Sequence, residues 1–169
     1  MADLRLIDGS GTEISYILQK AETRTFRSTL PTSIINRGID PGRFEQIVCD
    51  VGKRVQVSNQ VVLYTQTTNF VRKTDVGGSA DGKNWIIIRS NAYIFDQRYQ
   101  GRELHNLVVS YPDSTYRYLK IMVWFDGGAV RSVTLRRMPR LLIFSGSPGE
   151  RHRLFFGNAE GEPRNYDLG

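Results

Sequence analysis

The feature that most constrains this chain is a two-residue hydrophobic period, interrupted every few residues by turn-forming side chains. Leu4 and Leu6 alternate with polar neighbours. Asp8-Gly9-Ser10-Gly11 then makes a hairpin-type turn, and Ile14, Tyr16 and Leu18 alternate again. A β-strand presents successive side chains to opposite faces, so this alternation predicts strands with one buried face. The pattern continues through 44–51, 54–65, 70–76, 84–89, 103–111, 115–125, 130–138, 141–144 and 152–156. Residues 36–43, 77–83 and 112–114 are rich in Gly, Pro, Asn and Asp and read as loops or turns. Lys20 to Pro31 is polar and Thr-rich and reads as a linker or edge strand. No window of a dozen residues carries a helical period. About ten strands at this spacing predict a β-sandwich or jelly roll. No repeat of solenoid length is present.

Composition narrows the class further. The 169 residues suffice for one domain with a core, or for one domain and part of another. A hydrophobic fraction of 40% with 24% charged residues excludes global disorder. The longest apolar runs, Ile86-Ile87-Ile88 and Leu141 to Phe144, are too short to span a bilayer. The opening Met1-Ala2-Asp3-Leu4-Arg5-Leu6 does not read as a signal peptide, though a piece cut from a longer exported precursor would look the same. The net charge is +6, but Arg131, Arg136, Arg137 and Arg140 are spaced along strands. They read as a solvated sheet face, so no nucleic-acid partner is expected.

Chemistry-bearing residues are sparse. Cys49 is the single cysteine and sits in a strand pattern, which makes it a small core residue. With only His105 and His152 beside it, a zinc site built from His and Cys is disfavoured. No G-x-S-x-G elbow, P-loop, G-x-G-x-x-G or H-E-x-x-H occurs. Asp8, Asp40, Asp81, Asp113 and Asp126 lie in turns, where their turn-forming role accounts for them. The chain therefore reads as a non-enzyme with no cofactor. Asp40, Asp96 and Asp126 are the carboxylates a structural calcium would use, without the spacing of a calcium loop.

Three segments carry a resemblance. Gly78-Ser79-Ala80-Asp81-Gly82-Lys83-Asn84-Trp85 resembles the S-x-D-G-x-x-W hairpin of discoidin domains, the coagulation factor V/VIII type C family. Thr115 to Ile121 is similar to the A-R-Y-[IV]-R-[IL] strand of that family, and Ile47 to Gly52 to its V-D-L-G strand. The resemblance implies an all-β, galactose-binding-like jelly-roll sandwich with Trp85 between the sheets and extra flanking strands. The flanks add a second resemblance. Asp3 to Tyr16, Arg153 to Glu160 and Pro163 to Leu168 are similar to the opening and closing motifs of a bacterial envelope family of unknown function, number 3999. Ser15 stands where that family has proline, and Lys73-Thr74 where apolar residues are usual. This second resemblance implies a periplasmic or envelope location, with membrane attachment only through regions outside this chain. The expected organisation is a flanking hairpin and linker at 1–30, a discoidin-like sandwich at 31–140 and flanking strands at 141–169, which would pair with 1–20 or with a neighbouring sandwich.

The expected binding end lies opposite the Asp81-Gly82 turn. Loops at 65–69 and 91–102, joined by 36–43, would gather there. The candidate ligand residues are Gln66, Asn69, Tyr93, Asp96, Arg98, Tyr99 and Arg102, because rings that stack and planar polar groups that hydrogen-bond are what a sugar face needs. Phe95 reads as packing beneath the loop. Trp124 alternates outward and reads as an anchor or, better, as packed against a flanking strand such as 141–144. The expected partner is a glycan or, equally, another envelope protein bound without any small ligand.

Overall fold

A computed structural model describes residues 4–20, 28–54, 56–125 and 130–156. Its strands are β1 Leu4–Ile7, β2 Glu13–Ile14, β3 Tyr16–Lys20, β4 Ser28–Leu30, β5 Ser33–Asp40, β6 Phe44–Asp50, β7 Ser58–Thr65, β8 Phe70–Ser79, β9 Ile86–Tyr99, β10 Arg102–Asn106, β11 Val108–Ser114, β12 Tyr118–Trp124, β13 Val130–Arg137, β14 Arg140–Phe144 and β15 Arg153–Phe156. No helix occurs among the described residues, so the all-β expectation holds. The chain divides into two compact units, one of Arg24–Met138 and one of Met1–Thr23 with Pro139–Gly169.

The larger unit is a sandwich of two antiparallel sheets, ordered β10-β9-β8-β12-β6-β5 and β11-β7-β13-β4. Alternation in β12 shows how the sequence builds it. Leu119, Ile121 and Val123 are fully buried, while Tyr118, Lys120, Met122 and Trp124 lie half-buried on the other face. Ile47 and Cys49 of β6, Val76 of β8 and Ile94 of β9 fill the same interior from one sheet. Val61, Leu63, Val109, Val133 and Leu135 meet them from the other. Each such side chain contributes about 1.5–3 kcal/mol relative to exposure. Arg117 clamps β6 to β12, its Nε and Nη2 donating to the two oxygens of Asp50 at 3.0 and 2.8 Å.

The Asp81 turn is closed by its own carboxylate. Oδ1 accepts the backbone N–H groups of Lys83 and Asn84 at 2.8 Å each, and Gly82 takes a φ of 75°. Those donors hold the Asp81 carboxyl well below the ordinary carboxylate range.

Three expectations near this turn are corrected. Gly77 and Gly78 belong to β8, and the turn begins after Ser79. A Cβ on Gly78 would stand 2.3 Å from the Tyr116 ring, so the glycine exists for close packing. Trp85 does not enter the interior. It lies half-buried on the outer side of the sheet, with Lys120 Nζ 4.1 Å from its ring centroid. Pro112 is not in a turn but in β11, the edge of its sheet, at a register break between Ser110 and Ser114. An edge strand tolerates a residue without an N–H at such a break.

In the smaller unit β1 pairs with both β15 and β2, and β3 pairs with β14. The Asp8 turn joins β1 to β2, with Asp8 Oδ1 accepting the N–H groups of Ser10 and Thr12 at 2.8 Å each.

Candidate functional site

Antiparallel pairing fixes which connections share an end of the sandwich. The Asp81 turn closes one end of β8 and β9. At the other end lie the turn 41–43, the connection 66–69, the turn Gln100-Gly101 and Phe125. Two expected loops at this end are corrected. Residues 91–99 continue β9, and the chain reverses through Gln100 and Gly101 into β10. Both turn residues have positive φ, 50° and 76°, which suits the twist of a two-residue hairpin. Residues 36–40 likewise belong to β5, leaving only 41–43 as the turn, with Arg43 Nη1 donating to Asp40 Oδ2 at 2.8 Å.

The structure sorts the candidate residues by strand parity. Gln66 and Asn69 are exposed in the connection between β7 and β8, Asn69 in a left-handed conformation. Tyr93, Phe95, Gln97 and Tyr99 point away from the core side of β9, which holds Ala92 and Ile94. Tyr93 is 52% and Tyr99 65% exposed, while Phe95 is half-buried. Arg102 stands directly across from Tyr99. Asp96 and Arg98 have the opposite parity. His105 Nδ1 lies 3.5 Å from Asp96 Oδ2, and Arg98 Nη2 lies 2.9 Å from Glu103 Oε1. Tyr93, Tyr99 and Arg102 therefore share one face, and Asp96 and Arg98 lie on the other.

That outer face continues inward across the sheet. Lys73 of β8 is the register partner of Tyr93, and Trp124 of β12 that of Phe44 in β6. Phe44 packs edge-on against Trp124 at 5.6 Å, and Lys73 Nζ stands 5.3 Å from the Trp124 ring centroid. These partners, with Asp75, account for the half-burial of Trp124 within its own sheet. Arg43 extends the row, its guanidinium 5.9 Å from the Phe44 centroid. Asp75 ties the face together. Its Oδ2 accepts the Trp124 indole N–H at 2.7 Å, and its Oδ1 accepts the N–H of Asn91 at 2.8 Å. Asn91 has a φ of 53° at a register break between β8 and β9. Phe125 is 67% exposed beside the row, and its N–H donates to the Arg43 carbonyl at 2.8 Å. Phe44, Lys73 and Phe125 escaped the sequence reading. Pairing 44–51 against 115–125 in register would have placed Phe44 beside Trp124.

Other chemical groups are committed elsewhere. Cys49 is wholly buried, and burial pushes its thiol up to about 12, so no thiolate is available. Asp113 accepts from Asn59 Nδ2 at 2.8 Å. It borders a depression of about 370 Å³, lined also by Ile88, Pro112, Ser114, Thr115 and Tyr116, at the Asp81 end. No group of three His, Cys, Asp or Glu placed to hold a metal occurs among the described residues, and Asp126 lies outside them.

No family model matches the chain. No curated protein matches it. Among solved structures it is similar to the CBM32 of AlyQ in complex with 4,5-unsaturated mannuronic acid, with 13% identity and a TM-score of 0.45 over 64% of this chain and 95% of that one. It is also similar to a pectin binding carbohydrate binding module, with 18% identity and a TM-score of 0.40 over 57% and 68% of the two chains. A third likeness is to the C-terminal domain of a chitobiase from Bacteroides fragilis, with 18% identity and a TM-score of 0.40 over 73% and 99%. These likenesses are distant, and the all-β sandwich stands on the strand pairing of the chain itself.

Proposed function

We propose that this chain is a non-catalytic glycan-binding module of the bacterial cell envelope. One observation carries the reading: Tyr93 and Tyr99 are exposed on one face of a register-fixed hairpin, with Arg102 opposite Tyr99. A phenol ring offers a flat apolar surface with a polar tip, and its two side-chain torsions lose little entropy on binding. A guanidinium beside it offers planar donors to a sugar hydroxyl. The core gains little from either ring, so their exposure supports a ligand role. The envelope location rests on the resemblance of 3–16 and 153–168 to the envelope family. The test is titration against peptidoglycan and capsular polysaccharide fragments. Tyr93→Ala and Tyr99→Ala should each weaken binding by about 3–10-fold, the worth of one stacking contact. Failure to bind any glycan ends the reading.

One observation favours a second reading, a protein-interaction segment without a small ligand. β5 is the edge of the six-stranded sheet, and its Ile34, Ile35 and Ile39 are exposed. An open edge accepts an added strand from a partner. A pull-down from envelope extracts that survives Tyr99→Ala but is lost in Ile35→Lys would favour it.

A further inference from the structure

We propose that the ligand is an anionic polysaccharide, lying along the outer face of the six-stranded sheet from Tyr99 to Phe44. The inference rests on the glycan reading and deepens it by naming the class of sugar. The face alternates rings and cations. Tyr99 stands beside Arg102, Tyr93 beside Lys73, Trp124 beneath Lys73, and Phe44 beside Arg43. The row from Phe44 to Tyr93 crosses three strand spacings, or about 14 Å, and Tyr93 to Tyr99 adds about 20 Å along β9. That length spans several sugar rings, not one.

Charge decides the class. The acid set within the row, Asp75, is only 13% exposed, and both of its oxygens already accept hydrogen bonds from Asn91 and Trp124. Lys73 Nζ stands 4.0 Å from it, at the edge of ion-pair range. Asp96 and Glu103 have the opposite parity on the hairpin and face the other side. Asp40 takes one donor of Arg43, whose side chain is 70% exposed, and a guanidinium has four more. Three cations, Lys73, Arg102 and Arg43, stand against two acids, Asp75 and Asp40, so the row keeps a small net positive charge beside aromatic surface. A neutral glycan would use the rings and the cations' hydrogen-bond donors but not their charge, whereas a chain with a carboxylate or sulfate on each sugar would use all three. The cations are spread singly between rings, not massed as a phosphate backbone requires, which favours the glycan over nucleic acid.

The test titrates the full chain with polygalacturonate, its methyl-esterified neutral form, alginate, heparin and single-stranded DNA, at low and high salt. The expected result is binding to a polyuronate that weakens with salt and weakens at least about five-fold on esterification. Lys73→Met and Arg102→Gln should each weaken polyuronate binding by about five-fold, and Lys73→Arg should retain it. Thermal melting of each variant separates lost binding from lost folding. Tighter binding to heparin than to polyuronates, with the same variant effects, keeps the proposal and names sulfate as the anion. Equal affinity for the charged and esterified chains overturns the inference and leaves the glycan reading standing. Binding to DNA alone, or to none of these and no other glycan, overturns both.

Discussion

The indole N–H of Trp124 donates to Asp75 Oδ2 at 2.7 Å, and this bond links two strands of the sheet on its outer side. The second oxygen of the same carboxylate holds the left-handed Asn91. Replacing Asp75 by Ala strands two donors at once, one of them half-buried. The half-buried indole donor costs up to about 1–3 kcal/mol when unmet, whereas the exposed Asn91 N–H turns to water. Asp75→Ala should therefore lower the urea midpoint more than Lys73→Met, and should shift tryptophan emission. Equal midpoints for the two variants would contradict this account.

Gly78 and Tyr116 give a second expectation. Gly78→Ala forces a methyl against the ring face and should destabilise the sandwich by about 1–3 kcal/mol or more, the range of overpacking. Gly77→Ala should cost less, because its nearest contact would be 3.3 Å from the Ile86 carbonyl oxygen. Tyr116→Leu should reduce the Gly78→Ala penalty in a double-mutant cycle read by denaturant unfolding.

The acid limb of stability should report on Asp81 and Asp50. Both carboxyls are depressed when folded, Asp81 by the backbone N–H groups of Asn84 and Lys83 and Asp50 chiefly by Arg117. A depressed acid contributes stability that is present above its unfolded pKa, about 3.9. That contribution is lost as pH falls from there through the folded value. Asp81→Asn and Asp50→Asn should each flatten the loss of stability below about pH 4. An unchanged slope in thermal melts across that window would refute the assignment.

Cys49 offers a probe of opening. Its burial and raised thiol predict no reaction with a thiol reagent in the native state at neutral pH. Labelling should instead follow the unfolding equilibrium as urea is added. Rapid labelling without denaturant would show that β6 opens locally.

The sequence revealed strands wherever one face is buried and the other polar. β6, β12 and β13 read cleanly because Ile47, Leu119, Ile121, Val133 and Leu135 all enter one interior. Legibility failed where that contrast disappears. Beyond Phe95 the hairpin of β9 and β10 is largely exposed on both faces, so Gln97, Arg98 and Tyr99 look like a loop. β5 is exposed along nearly its whole length and reads as a loop for the same reason. Gly77, Gly78 and Pro112 misled for a different reason, because packing and an edge position can demand turn-type residues inside strands. At the candidate site the tyrosines were visible by type. Their shared face was not, since it depends on a register fixed by distant pairing.

The position of β12 between β6 and β8 has a consequence in time. Residues 44–50 and 70–79 cannot complete the sheet until residues 118–124 arrive between them. On a ribosome that delay is several seconds at about 5–20 residues per second. Two strands that end in the middle of the sheet spend that interval as open edges. Until β12 arrives, the backbone groups of β6 and β8 that it will pair face solvent along one edge each, the condition under which strand edges join the wrong partner.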